Sequence, residues 1–267
     1  MKKLTIKDMK EYQTPDFIYI PINSREEVNL SSKTVYKNDE IVPSKISPVS
    51  GKATAFAKIM TLNGLKETLV IENDFKDKRK KINVAVKDIY KLNKNAIKEV
   101  VGVKENNLEI EISNKNEYDI RDRYILKEYV REILETINLI DQTYDNLKVS
   151  ILMNKEDYET YEFLFNYMGT YPKIDIIFKS NTDNKMSLYD VLDIYYKLKN
   201  SIERDYIYVS IRYKNVCEVL KTRRYTNLRE IIMPLNINFK SIIINDYVES
   251  SESNYLLDDN IYEIKLI

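Results

Sequence analysis

Glycine is scarce in this chain, and the scarcity limits which folds and binding sites the chain can build. Only 4 of the 267 residues are glycine, and 6 are proline. Phosphate-binding loops depend on closely spaced glycines, because a side chain would block the approach of backbone N–H groups to the phosphate. Neither G-x-x-x-x-G-K-[ST] nor G-x-G-x-x-G occurs in the sequence. The common nucleotide-binding loops are therefore absent.

Composition excludes several other chemistries. The chain has no histidine, so it can form no Ser-His-Asp triad, Cys-His pair or imidazole zinc site. Cys217 is the single cysteine, so an internal disulfide and an iron–sulfur cluster held within the chain are both excluded. The formal net charge is zero, which gives no general attraction to nucleic acid. Apolar runs such as 242–244 are far shorter than a bilayer span, so we expect a cytoplasmic protein without direct membrane insertion.

The spacing of turns and apolar residues predicts three domains and an α/β (α+β multidomain) fold class. Residues 1–82 show short alternating runs between turn residues, which is typical of a small β sandwich or barrel. Residues 83–200 alternate strands with helices, which indicates an α/β layer with a largely parallel sheet. Residues 201–267 return to strands with one short helix, and this pattern fits a β-grasp-like domain.

Two helices of the central segment have clear local signals. In the second helix, Ser187 is placed as an N-cap, with Asp190 three residues further on. The first helix is predicted from apolar side chains at near-helical spacing. These side chains are Ile125, Tyr129, Ile133, Ile137 and Ile140.

The first segment resembles the N-terminal barrel-sandwich (biotinyl/lipoyl-like) domain of the C subunit of the Rnf electron-transport complex. The resemblance rests on "YIPI" at 19–22, "VYKNDEIVPSKI" at 35–46, "SPVSGKAT" at 47–54 and "LVIENDF" at 69–75. Asn38 and Ser44 replace two glycines of the family's hairpin. Asn tolerates a left-handed backbone better than Ser does.

The resemblance implies a central domain that is similar to an FMN- and NADH-binding domain, followed by an SLBB-like β-grasp domain. It stops before the family's cysteine-rich ferredoxin-like domain. The glycine-rich loop that would admit flavin phosphate is missing, so FMN binding is disfavoured. The candidate cofactor-binding residues are Asn114, Glu117, Asp119 and Asp122, which fall roughly where the family has an acidic motif. The alternative for these acids is structural, because carboxylates before a helix complement its dipole.

The resemblance and the missing glycines together predict a degenerate relative of the Rnf C subunit from an anaerobic bacterium. We expect a non-catalytic scaffold or docking subunit of an electron-transfer system, with no catalytic residues, no metal and no cofactor. Its partner would be a redox or membrane-complex protein, which could hold it at the inner face of the membrane. An acidic, partly closed cleft at the carboxyl ends of the parallel strands would accept a basic segment of that partner.

The alternative is a residual electron-transfer subunit with a rebuilt cofactor site. Such a protein would be an oxidoreductase linked to flavin or NADH, or a companion of an amino-acid or cobalamin reductase. Because bound flavin absorbs visible light, a spectrum of the purified protein separates the two hypotheses.

Four further features have an ordinary structural interpretation. Lys52 lies in a turn but lacks the "MKM" context of a carrier lysine, so we expect a surface lysine. Cys217 is expected to be a small core residue. The stripe formed by Tyr158, Tyr161 and Phe165 is predicted to pack in the core, and "KTRRY" at 221–225 to be a solvated basic turn.

Overall fold

The computed structural model divides the chain into two compact units. One unit comprises Met1–Lys81 with Asp205–Ile267, and the other comprises Ile82–Arg204. The first and third predicted domains therefore lie together in one unit. The structure describes residues 5–6, 10–11, 14–30, 32–79, 86, 88–103, 106–112, 120–171, 174–200, 204–250 and 254–267.

The described residues of the N-terminal segment form short strands and one long hairpin. The strands are Thr5–Ile6 (β1), Lys10–Glu11 (β2), Phe17–Ile22 (β3), Thr34–Val35 (β4), Glu40–Val42 (β5), Lys45–Ile46 (β6), Gly51–Thr61 (β7) and Gly64–Asn73 (β8). β7 and β8 pair antiparallel, and β3 and β4 flank them in the order β3-β8-β7-β4. Alternate residues of β3, including Ile18 and Ile20, are fully buried together with Ile71 of β8. The predicted β structure of this segment is confirmed.

The β5–β6 hairpin adopts the left-handed backbone for which glycine is usually required. Asn38 has φ 72° and Ser44 has φ 67°. The backbone N–H of Asn38 donates to the carbonyl of Ser47 at 2.9 Å, which fixes the start of the hairpin. Both non-glycine residues therefore carry a conformational cost at these positions.

The turn that leads into β7 is held against the end of β8. The buried hydroxyl of Ser50 donates to Asp74 at 2.5 Å and accepts from the backbone N–H of Lys78 at 2.9 Å. This hydrogen bond from Ser50 lowers the pKa of the Asp74 carboxyl. A Cβ at Gly51 would stand 1.9 Å from the carbonyl oxygen of Glu72. The turn therefore needs glycine at position 51.

The second unit is an α/β layer. Its described helices and strands are Lys94–Val101 (α1), Asn107–Glu111 (β9), Arg121–Thr143 (α2), Lys148–Leu152 (β10), Tyr158–Met168 (α3), Asp175–Ile177 (β11), Lys185–Ser187 (β12) and Leu188–Asn200 (α4). The strand order is β11-β10-β9-β12, and each of these pairings is parallel. Leu108 and Ile110 of β9 are fully buried. The predicted parallel sheet is confirmed.

The two helices with clear sequence signals form as expected. In α2, Ile125, Ile133, Ile137 and Ile140 are fully buried, whereas Tyr129 is half-buried and has non-helical dihedrals that mark a kink. At α4, the backbone N–H of Asp190 donates to the hydroxyl of Ser187 at 3.2 Å, and the Asp190 carboxylate accepts from the Ser187 N–H at 2.8 Å. This is a reciprocal capping box.

The C-terminal segment builds a mixed sheet. Its elements are Tyr206–Tyr213 (β13), Val216–Arg223 (β14), Leu228–Ile232 (α5), Ser241–Ile244 (β15), Tyr247–Ser250 (β16) and Glu263–Leu266 (β17). The order is β1-β14-β13-β17-β15-β16, and β2 also pairs with β14. The start of the chain thus adds strands to a sheet made from its end. Across the parts of both units that the structure describes, no helix is both long and apolar enough to cross a bilayer.

Candidate functional site

The parallel sheet of the second unit has a topological switch point at β9. Along the chain, β10 and then β11 are added on one side of β9, and β12 is added on the other side. In open α/β sheets, ligands bind beyond the carboxyl ends of the strands at such a point. The switch point lies between Glu111, at the end of β9, and Ser187, at the end of β12. We call this region the carboxyl edge and treat it as the candidate functional site.

The helix that follows β9 brings a buried ion pair to the carboxyl edge. Arg121 Nε lies 2.9 Å from Asp122 Oδ1, and the two side chains are 8% and 2% exposed. Asp122 lies in the first turn of α2, where the helix dipole stabilises a carboxylate. Burial of both partners together makes this pair part of the packed interior.

The helix that follows β12 contributes an aromatic ring to the same edge. The guanidinium carbon of Arg121 lies 5.0 Å from the ring centroid of Tyr189, and that of Arg204 lies 3.9 Å from it. Arg204 also pairs with Asp193, with Nε 3.3 Å from Oδ1. Tyr189 and Arg204 are buried. Cation–π contacts and ion pairs therefore link α2, α4 and Arg204 in one cluster, which we call the arginine–tyrosine cluster (Arg121, Asp122, Tyr189, Asp193 and Arg204).

Ion pairs continue to the end of the neighbouring strand. After β10, Asp157 caps α3 by accepting from the Thr160 N–H at 3.3 Å, and it lies 2.9 Å from Arg123 Nη2. Lys127 donates to Glu159 at 2.7 Å, and this hydrogen bond lowers the pKa of the Glu159 carboxyl. The basic side chains of Arg123 and Lys127 are therefore each paired with a carboxylate of α3 or of its N-cap.

The structure places the predicted cofactor-binding residues only in part. Asn114, Glu117 and Asp119 lie in 113–119, outside the described residues. Asp122 is described, and it is buried against Arg121. Asp122 therefore does not act as an accessible acidic residue of an open cleft.

Sequence reasoning missed two basic members of this edge, Arg121 and Arg204. Arg121 and Arg123 flank Asp122 in the sequence "RDR", which indicated a charged helix start but not which side chains would be buried. Arg204 lies 11 residues after Asp193, its ion-pair partner. Its role becomes visible only in the structure, where its guanidinium lies over the ring of Tyr189.

Three other predictions can be judged from burial. Lys52 is exposed, and Cys217 on β14 is fully buried, so both predictions are confirmed. The prediction of a solvated basic turn at 221–225 is wrong. Strand β14 continues through Arg223, and the side chains of Lys221 and Arg223 are buried. Arg223 is 4% exposed.

The buried guanidinium of Arg223 is compensated by carboxylates. Its Nη1 lies 2.5 Å from Asp205, and its Nη2 lies 2.9 Å from Asp77. Lys37 Nζ also lies 2.5 Å from Asp205. These pairs give the "KTRRY" segment a structural role in the first unit.

The first unit also contains a carboxyl group with a strongly raised pKa. Burial raises the pKa of Glu230 on α5 to about 7, and the charge of Asp16 adds to the effect. Hydrogen bonds from the backbone of Phe17 and Asp16 act in the opposite direction. Burial and the nearby Glu230 also raise the pKa of Tyr19. Glu230 is therefore coupled to the start of β3.

Comparison with known proteins does not place this chain in a family. No family model matches the sequence, and no curated protein matches it. Among the described residues, no group of three or more acidic, cysteine or histidine side chains is arranged to hold a metal ion.

Proposed function

We propose that the protein is a non-catalytic scaffold or docking subunit of an anaerobic electron-transfer system, with a domain architecture that resembles that of the Rnf C subunit. The observation that supports the proposal is the arginine–tyrosine cluster at the switch point. Arg121, Asp122 and Tyr189 are buried where an α/β domain of this order would bind its ligand. A cofactor bound at this position would have to displace the Arg121–Asp122 ion pair, in which the two buried charges compensate each other.

The energetic cost of such a displacement is substantial. Removing one partner of a buried ion pair typically costs about 3–5 kcal/mol, because the other charge remains buried and uncompensated. The second unit has glycine only at positions 102 and 169, so its sequence offers no glycine-rich loop for a flavin phosphate. These properties favour a role in binding a protein over a role in electron transfer.

A second candidate function is that of a residual electron-transfer subunit with a rebuilt cofactor site. Its support is the position of two guanidinium groups, those of Arg121 and Arg204, at the carboxyl edge. Guanidinium groups bind phosphate bidentately. In that case a cofactor phosphate would replace Asp122 or Asp193 as their partner.

The visible spectrum of the purified full chain, with thermal unfolding in the presence of FMN or NADH, tests the proposal. We expect no flavin absorption and no rise in the unfolding temperature with either nucleotide. Stoichiometric FMN in the wild type, lost in Arg204→Ala but kept in Arg25→Ala, would establish the second candidate instead. Arg25 is a suitable control because it is exposed and pairs with Glu67 in the other unit.

A further inference from the structure

The turn of the β7–β8 hairpin contains the one Asn-Gly pair of the sequence. Of the four glycines, only Gly64 follows an asparagine. Leu62 and Asn63 form the turn, and the flanking residues Thr61 and Gly64 are paired with each other across the hairpin. Gly64 has φ 96°, which glycine adopts without strain. The turn therefore places an asparagine amide directly before a residue that has no side chain.

The Asn63 side chain is accessible to water and is not tied to the fold. Asn63 and Gly64 are both exposed. Within the part of the chain that the structure describes, Asn63 is held through its backbone N–H, which donates to the Thr61 hydroxyl at 3.2 Å, and its side-chain amide has no hydrogen-bond partner. The space beside Gly64 is open, since a Cβ there would meet nothing within 4 Å. The amide can therefore rotate towards the backbone nitrogen of Gly64.

An accessible Asn-Gly pair can rearrange without an enzyme. The backbone nitrogen of the glycine loses its proton to hydroxide and attacks Cγ of the asparagine. A C–N bond forms, which closes a succinimide ring, and the bond from Cγ to Nδ2 breaks, so that the leaving nitrogen takes a proton from water and departs as ammonia. Water then opens the ring at either carbonyl and gives aspartate or isoaspartate. Glycine favours ring closure because it has no Cβ to hinder the approach.

We propose that Asn63 is a site of spontaneous conversion to aspartate and isoaspartate, and that the isoaspartate form loosens the β7–β8 hairpin from the C-terminal segment. Both products carry a new negative charge at the turn. Isoaspartate also lengthens the main chain of residue 63 by one carbon atom. The inference concerns a covalent modification that limits the lifetime of the intact fold, and it goes beyond the proposed docking function.

The hydrogen bonds of the turn depend on its tight spacing. The hydroxyl of Thr61 donates to the carbonyl of Gly64 at 2.8 Å and accepts from the N–H of Asn63. Both bonds span residue 63, where isoaspartate inserts its additional carbon. The longer main chain cannot keep both contacts and the pairing of Thr61 with Gly64 at the same time.

The same end of the hairpin contacts the C-terminal segment. The carbonyl of Met60 accepts from the N–H of Leu256 at 2.8 Å. Leu62 is partly buried and packs against the hydrophobic core of the mixed sheet. A shift of the turn moves Leu62 out of this contact and strains the hydrogen bond of Met60. Isoaspartate at position 63 should therefore destabilise the first unit, although the side chain that reacts is exposed.

Incubation of the purified full chain at mildly alkaline pH, followed by peptide mass spectrometry, tests the chemistry. Asn23 is the matched control, because it is exposed, precedes Ser24 and donates through its side chain to Glu27 at 3.3 Å. We expect Asn63 to convert about tenfold faster than Asn23 or more, and a factor of ten corresponds to about 1.4 kcal/mol in the activation free energy. The rate should rise with pH, because ring closure needs the deprotonated backbone nitrogen. Isoaspartate and aspartate peptides are separated by chromatography and by their fragmentation.

Two variants separate the modification from its structural effect. Asn63→Gln has a longer side chain that closes the corresponding ring much more slowly, so it should stay unmodified and keep its urea midpoint throughout the incubation. The midpoint of the wild type should fall as its isoaspartate content rises. Freshly purified Asn63→Asp carries the charge without the additional main-chain carbon, and its midpoint should stay close to that of fresh wild type.

Three outcomes would overturn the inference. Conversion of Asn63 no faster than that of Asn23 would refute the modification site. An unchanged urea midpoint in protein rich in isoaspartate, or a fresh Asn63→Asp variant as unstable as aged wild type, would refute the structural effect. None of these measurements involves a cofactor or a partner, so FMN in the purified protein would refute the non-catalytic function and leave this result intact.

Discussion

Gly51 lies directly against the carbonyl oxygen of Glu72, at a distance where no side chain fits. A Cβ at position 51 would stand 1.9 Å from that oxygen. The glycine of the "SPVSGK" turn is therefore explained by the close approach of β7 to β8, which pair at this position. The first prediction follows from this contact.

We expect Gly51→Ala to lower the free energy of unfolding by about 3 kcal/mol or more, because the clash is with backbone and the hairpin must shift. Gly169→Ala is the matched control. Its Cβ would meet no atom within 4 Å, and its φ of −56° suits alanine, so it should be neutral or stabilising by up to about 1 kcal/mol. Urea denaturation of both variants measures the difference. Equal midpoints for the two variants would contradict this account of the turn.

The second prediction concerns the left-handed residues of the β5–β6 hairpin. Ser44 has φ 67° and is exposed, so Ser44→Gly should relieve backbone strain and raise the free energy of unfolding by about 0.5–1 kcal/mol. Asn38→Gly, at φ 72°, should give a smaller gain because Asn tolerates this conformation better. Thermal unfolding of the two variants provides the comparison. A destabilised Ser44→Gly variant would show that the serine side chain has a role of its own.

Local signals in the sequence were sufficient for α2 and for the start of α4. The isoleucines of α2 and the Ser187–Asp190 capping box depend on residues within a few positions of each other, so their pattern can be read directly. Strand–helix alternation likewise predicted the parallel sheet of the second unit, because parallel strands need a crossover between them.

Non-local contacts could not be read in the same way. The burial of Arg223 depends on Asp77, which lies 146 residues away in the sequence. The outward orientation of Tyr158, Tyr161 and Phe165 was missed because periodicity shows that residues share a face of a helix but not which face meets the core. At the candidate site, the sequence identified Asp122 as a candidate but not its pairing with Arg121.

The third prediction tests the ion pair at the carboxyl edge. Asp122→Ala should lower the free energy of unfolding by about 3–5 kcal/mol, since it removes the buried carboxylate that lies 2.9 Å from the guanidinium of Arg121. Asp145→Ala removes an exposed carboxylate that lies 3.8 Å from Lys94, and it should cost at most about 1 kcal/mol. Chemical denaturation distinguishes the two. Similar small losses in both variants would mean that the arginine–tyrosine cluster is not rigidly packed.

The last prediction concerns the pH dependence of stability in the first unit. Burial raises the pKa of Glu230 from its ordinary value of 4.5 to about 7 in the folded protein. Between these two values the folded state binds more protons than the unfolded state at this group, so the contribution of Glu230 to stability must fall as the pH rises. It is fully present below about pH 4.5 and is lost by the time the pH has passed 7.

Glu230→Gln keeps the side chain neutral and should remove this dependence. Relative to wild type, the variant should gain stability from pH 5 to about pH 7 and show little further gain up to pH 8, as measured by the urea midpoint at each pH. Glu26→Gln, at an exposed position of the same unit, should show no such trend. A constant difference between wild type and Glu230→Gln over this range would mean that Glu230 is solvated in the folded protein, and that its contact with the start of β3 does not persist in solution.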